Sequence, residues 1–202
     1  VNKKLAAALS GGAVLVVALT GCTSSSNGGS KGPDPKLVAW AKTVCDPLPS
    51  QQAKISGAND ALKAVAQDGP PKDVQKTDSQ AFQDLADAFK ARAATLSSAG
   101  APPGVDGGVA KQQDAVKKLT ALSAAYADLK KQVDGLDTKD QTKFAAGLGD
   151  LSQRMKAVSG QYDSAITSLQ NLEKGDVNQA VAKQAGCTKA SASSASPSAG
   201  KG

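Results

Sequence analysis

Val105–Leu136 reads VDGGVAKQQDAVKKLTALSAAYADLKKQVDGL, and Lys139–Glu173 reads KDQTKFAAGLGDLSQRMKAVSGQYDSAITSLQNLE. In the first stretch Val109, Gln112, Val116, Leu119, Leu122, Tyr126, Leu129, Val133 and Leu136 step by three or four. In the second, Phe144, Leu148, Leu151, Met155, Val158, Tyr162, Ile166, Leu169 and Leu172 do the same. Side chains three and four apart share one face of an α-helix, so the spacing predicts two long amphipathic helices. Phe144 to Leu172 corresponds to roughly 42 Å of helix axis. Stripes of that length cannot stay wet and must pack against other helices. Gly147, Gly149 and Gly160 lower the local helix propensity, a weak effect that packing overrides.

Working outward, Asp137-Thr138-Lys139-Asp140 permits a turn between the two runs, with the Thr138 hydroxyl as the expected cap of the next helix. Upstream, Gly100-Ala101-Pro102-Pro103-Gly104 is a strong break. A third-place helix is expected over about Asp73–Ser98, with Phe82, Leu85 or Ala86, Phe89, Ala93 and Leu96 inward. Another is expected over about Ser50–Gln67, carrying Ile55, Ala58, Leu62 and Val65. The first is expected to start at Pro35 with Asp34 as N-cap, since proline fits the first helical position. Pro47 and Pro49 interrupt it beyond Cys45. A short last helix, about Asp176–Ala185, precedes Gly186-Cys187. Sustained β-branched alternation is missing throughout. The fold expected is all-α: an elongated, up-and-down antiparallel bundle of four main helices plus short terminal helices.

The 202 residues contain 24 Lys and Arg, 18 Asp and Glu, no His and 3 Cys. The absence of His removes imidazole-ligated zinc, Ser-His-Asp hydrolysis and the Glu-x-x-His sites of di-iron bundles. Glu173 is the sole Glu. The carboxylate pairs Asp84–Asp87 and Asp137–Asp140 fall short of the oxygen-rich spacing a calcium loop needs. Ser-Lys chemistry requires no His, yet Lys117, Lys118, Lys130, Lys131 and Lys156 all sit off the apolar stripes, as solvated faces do. Gly28-Gly29-Ser30-Lys31-Gly32 lacks phosphate-loop spacing. No enzyme activity, metal or cofactor is expected. The net charge of +6 is modest and dispersed, and gives no nucleic-acid footprint.

The ends carry the address. Lys3 and Lys4 precede an uncharged stretch, Leu5–Leu19, followed by Leu19-Thr20-Gly21-Cys22. A charged start, an apolar core and small residues at the cut describe a secretory signal. The core is too short for a spanning helix, which takes about 20 apolar residues. The ending resembles the lipobox of bacterial lipoproteins, in which a Leu stands three residues before a Cys. The resemblance implies that Leu19, Thr20 and Gly21 are the signal-peptidase recognition residues, that cleavage falls between Gly21 and Cys22, and that the Cys22 sulfur carries a diacylglyceryl group. Removing residues 1–21 leaves 181 of the 202, and losing Lys3 and Lys4 takes the charge from +6 to +4. Two acyl chains give firm attachment. The expected location is the extracytoplasmic face of the cell membrane, with the lipid bilayer as first partner.

Residues 22–36, rich in Ser, Gly, Asn and Pro, read as a lipidated flexible tether. Residues 188–202, TKASASSASPSAGKG, read as a disordered tail. Between them, residues 37–187 form the bundle domain. With Cys22 consumed by lipid, Cys45 and Cys187 remain, and an exported compartment permits a disulfide between them. Such a bond closes a loop of about 143 residues and contributes at most about 5 kcal/mol on a chain-entropy estimate. The layout as a whole resembles the small secreted or lipoprotein-type proteins of high-GC Gram-positive bacteria. The matching features are Ala, Asp and Lys abundance, Val1, Trp40 with Cys45 near the mature start, and a late Cys187. It carries over no active residue.

Trp40, the single Trp, either plugs the end of the bundle near the disulfide or lines a pocket or partner surface there. Two functions stay open on this sequence. One is a non-enzymatic envelope role, presenting a surface to an envelope protein or an acidic wall polymer. The other is a small-ligand-binding or sensor-accessory lipoprotein. A deep apolar cavity with convergent polar groups favours the second.

Overall fold

Asp34 opens the first helix by accepting a hydrogen bond from the Lys36 amide at 2.7 Å, with Pro35 at the first helical position. In the computed structural model, which describes residues 32–65 and 69–195, this is α1, Pro35–Cys45. There follow α2 (Leu48–Ala64), α3 (Pro71–Ala99), α4 (Gly108–Asp134), α5 (Gln141–Leu172), α6 (Asp176–Ala182) and α7 (Ala185–Ala195). Among the described residues there is no strand. α2, α3, α4 and α5 run up and down, each packed on the next. α1 lies against α6 and α3, and α7 lies along α2.

The core sits between α3 and α4. Phe82, Leu85 and Phe89 of α3 are buried with Leu119, Leu122, Leu129 and Val133 of α4. Tyr126 stacks on Phe89 with centroids 5.6 Å apart, and Tyr162 of α5 meets the edge of Phe89 at 6.0 Å. This small aromatic group supplies ring area to a core otherwise rich in Leu, Val and Ala. Burial pushes the Tyr126 phenol up to about 12. Helices are also tied across by side chains on carbonyls: Ser123 Oγ donates to Ala86 O at 2.8 Å, and Gln112 Nε2 to Leu96 O at 3.0 Å.

Four expectations shift. On α4 the inward row is Gln112, Ala115, Leu119, Leu122, Leu129 and Val133, so Val109 falls beside it and is 60% exposed. On α5 the small Ala165, rather than Ile166, fills the buried row with Phe144, Leu151, Val158 and Leu172. Asp140, not Thr138, caps α5, accepting from the Thr142 and Lys143 amides at 3.0 Å. A carboxylate accepts both amides and carries the charge preferred at a helix N-terminus.

The fourth concerns the tail. Residues 188–195, expected to be disordered, continue α7. Ala is the best helix former, Cys187 is fixed by its crosslink, and Ala190 is buried. Thr188 and Ser191 hydroxyls donate back to the Ala185 and Cys187 carbonyls. Residues 196–202, and the expected end of the second helix at 66–67, lie outside the described residues.

Candidate functional site

The short helices converge on one end of the bundle, where Cys45 of α1 is bonded to Cys187 of α7 with Cα atoms 4.9 Å apart. The close approach depends on Gly186: a Cβ there would overlap the Cys45 carbonyl and stand 3.2 Å from the Asp46 amide nitrogen. Trp40 is buried beside this junction and donates from Nε1 to the Gly100 carbonyl at 2.9 Å. Gly100 turns the chain out of α3 at φ +70°, a conformation open to glycine. Trp40 therefore closes the end by packing and one long-range hydrogen bond, and it lines neither cavity described next.

Beneath the crosslink lies a chamber of about 30 Å³, walled by Val44, Leu48, Gln51, Arg92, Thr95, Leu96, Leu169 and Glu173. That is room for a water molecule or two, not for a metabolite. Arg92 of α3 and Glu173 at the end of α5 bring opposite charges into it. Burial lowers the Arg92 guanidinium from its usual range, with the Glu173 charge opposing. Burial also raises the Glu173 carboxyl, with the Arg92 charge opposing. The two groups steady each other without a direct ion pair. Gln51 donates from Nε2 to Thr95 Oγ1 at 3.2 Å, and its Oε1 is buried without a partner. A second such oxygen is Asp78 Oδ1, near the far end of α3, where burial pushes the carboxyl up to about 6.

On the outer side, α4 and α5 leave an open groove of about 490 Å³ lined by Ala110, Lys111, Asp114, Ser168, Asn171 and Lys174. Ser168 Oγ donates to Asp114 Oδ2 at 2.6 Å, and Lys118 Nζ lies 2.9 Å from the same oxygen. These partners hold the Asp114 carboxyl below its ordinary range, the Ser168 hydrogen bond first. Ser168 is 2% exposed. The cluster ties α4 to α5.

The remaining sequence candidates separate. Cys22, Leu19, Thr20 and Gly21 lie outside the described residues. Lys118, Lys130 and Lys131 pair with Asp114, Asp134 and Asp128 on their own helix, and Lys156 donates to Gln153. Asp137 and Asp140 accept backbone amides in the turn. Among the described residues, no three Cys, Asp or Glu side chains gather as metal ligands. No helix among them is long and apolar enough to cross a membrane.

Reading by periodicity missed Arg92, Glu173, Gln51 and the Asp114–Ser168 contact. The available signal was rarity: Arg92 is one of two Arg, and Glu173 is the single Glu. No protein-family model, no curated protein and no solved structure matches this chain.

Proposed function

We propose that this chain is a bacterial lipoprotein, anchored through Cys22 to the extracytoplasmic face of the cell membrane, with a non-enzymatic role in the envelope. Its helical body presents a surface to an envelope protein or an acidic wall polymer. The observation that carries the reading is the disulfide-closed, internally packed bundle. The chamber near the crosslink is about 30 Å³, whereas small-molecule sites run to roughly 300 Å³ or more. Disulfides persist in oxidising compartments, so the Cys45–Cys187 bond is in keeping with an exported body. The α4/α5 groove is open, with mixed polar and apolar walls, and suits contact with a surface rather than sequestering a ligand. A ligand-binding role centred on Trp40 loses its main support, because the indole is spent on packing and on the Gly100 carbonyl.

Mass spectrometry of the protein from its native membrane tests the anchor: the chain should begin at Cys22 with a diacylglyceryl adduct. A Cys22→Ala precursor should fold and lose membrane retention. An intact 1–21 segment on the membrane-bound protein overturns the anchor. Crosslinking in native membranes should then capture an envelope component that the Cys22→Ala form no longer reaches.

A further inference from the structure

We propose that the α4/α5 groove at the disulfide end is a docking face for the phosphate groups of an anionic phospholipid surface, with Lys111 and Lys174 as the contacting cations. The inference rests on the anchored-lipoprotein reading and adds to it the face of the body that turns toward the membrane.

The first support is uncompensated charge. Lys111 Nζ donates to the Asp106 carbonyl oxygen at 3.1 Å, and Lys174 Nζ to Asn171 Oδ1 at 2.7 Å. Both acceptors are neutral, and neither lysine is in an ion pair among the described residues. The carboxylate in the groove, Asp114, already pairs with Lys118 and accepts from Ser168. An anion entering between Lys111 and Lys174 therefore meets two free positive charges and a carboxylate offset by its own partner. At the far end of the bundle, Lys130, Lys131 and Lys143 each sit on a carboxylate, while Lys72, Lys76 and Lys139 are in no ion pair among the described residues.

The second support is where the chain leaves the body. The described chain begins at Gly32, where a Cβ would stand 3.6 Å from Lys183 Nζ. Lys183 caps α6, which follows Lys174 directly and packs on α1, so the tether departs from the end that carries the groove. Ten residue steps separate Gly32 from Cys22, a reach of at most about 35 Å. An anchor at Cys22 holds this end within reach of the headgroups. The third support is shape: an open groove of about 490 Å³ admits headgroup phosphates without enclosing them.

The test uses the full mature chain carrying Cys22→Ser, so that binding does not depend on acylation. It is mixed at low salt with vesicles of phosphatidylglycerol and phosphatidylcholine, or of phosphatidylcholine alone, and sedimented. Binding is expected only to the anionic vesicles, and it should fall as salt rises. Each lysine near an anionic leaflet is worth roughly fivefold in binding, so Lys111→Gln with Lys174→Gln should weaken it about 25-fold. The far-end pair Lys131→Gln with Lys143→Gln should change it less than twofold. Circular dichroism confirms that both double variants are folded.

Equal loss in the two double variants, or equal binding to both vesicle types, overturns the proposal. So does displacement by millimolar inorganic phosphate, which would make the groove a soluble-anion site. Binding to a soluble polyphosphate chain but not to vesicles reassigns the face to a polymer and likewise overturns it. A diacylglyceryl adduct found on Cys22 together with failed vesicle binding removes this inference and leaves the anchor standing. Vesicle binding without an adduct does the reverse.

Discussion

The two ends of the bundle are closed by different means. At one end, helices of 11, 7 and 11 residues, α1, α6 and α7, are gathered around a disulfide, a buried Trp and a chamber holding Arg92 and Glu173. Helices that short are marginal alone in water. At the other end, three long helices finish on one another. Gln75 Nε2 donates to the Val133 and Leu136 carbonyls, and Ser79 Oγ to Asp134, which also pairs with Lys130. The contrast teaches that long helices close their end with side-chain hydrogen bonds, while short elements over buried charge need a covalent constraint.

The largest expected effect breaks that contrast outright. Replacing both cysteines, Cys45→Ser with Cys187→Ser, should cost about 2–5 kcal/mol in urea unfolding, since the bond spans 142 positions. Hydrogen exchange should rise first in α1, α6 and α7 and last in α3. Uniform loss of protection through all helices would mean that the two ends are not separately stabilised.

Gly186→Ala tests the same end without touching the sulfurs. The added methyl overlaps the Cys45 carbonyl, a backbone group that cannot swing away. A loss of about 1–3 kcal/mol is expected by chemical denaturation, as for other overpacked sites. An unchanged midpoint would show that α7 approaches α1 less closely than described.

Asp78 tests the far end. Its folded carboxyl is raised from 3.8 to about 6 by burial, so the native state holds a proton that the unfolded chain releases sooner. The contribution is fully present below about pH 3.8 and is lost as pH climbs through about 6. Asp78→Asn should flatten stability against pH across that window and gain about 1 kcal/mol at pH 7.5, by removing a buried charge with an unpartnered oxygen. A variant whose pH profile parallels the parent would remove Asp78 as the titrating group.

The smallest effect concerns α5, which spans both ends. A Cβ at Gly149 or Gly160 meets nothing within 4 Å. Gly149→Ala and Gly160→Ala should each add about 0.5–1 kcal/mol through the unfolded chain and helix propensity. Gly147→Ala should not, because its methyl would overlap Leu136 Cδ2. If all three behave alike, the packing of α5 against the turn is not what separates them.

Much of this architecture was legible because helical period is local. Phe82, Phe89, Leu119, Leu122 and Leu129 announced their faces by spacing alone. The failures have separate causes. Ala115 and Ala165 lie in the buried rows, but a small side chain carries little periodic signal. α7 was concealed because low complexity resembles disorder until a crosslink and a neighbouring helix give it something to pack on. Arg92 and Glu173 stand 81 positions apart, and nothing in either neighbourhood marks them as sharing a chamber.

By itself, the sequence determined that this protein is helical and where most of its helices break, since these follow from spacing and from proline and glycine placement. Only the tertiary structure decided which charges lose their water, which lysines remain uncompensated, and which end of the bundle the first described residues lie at. Those properties belong to groups distant in the chain, and burial and Coulomb interaction depend on separation in space rather than along the backbone.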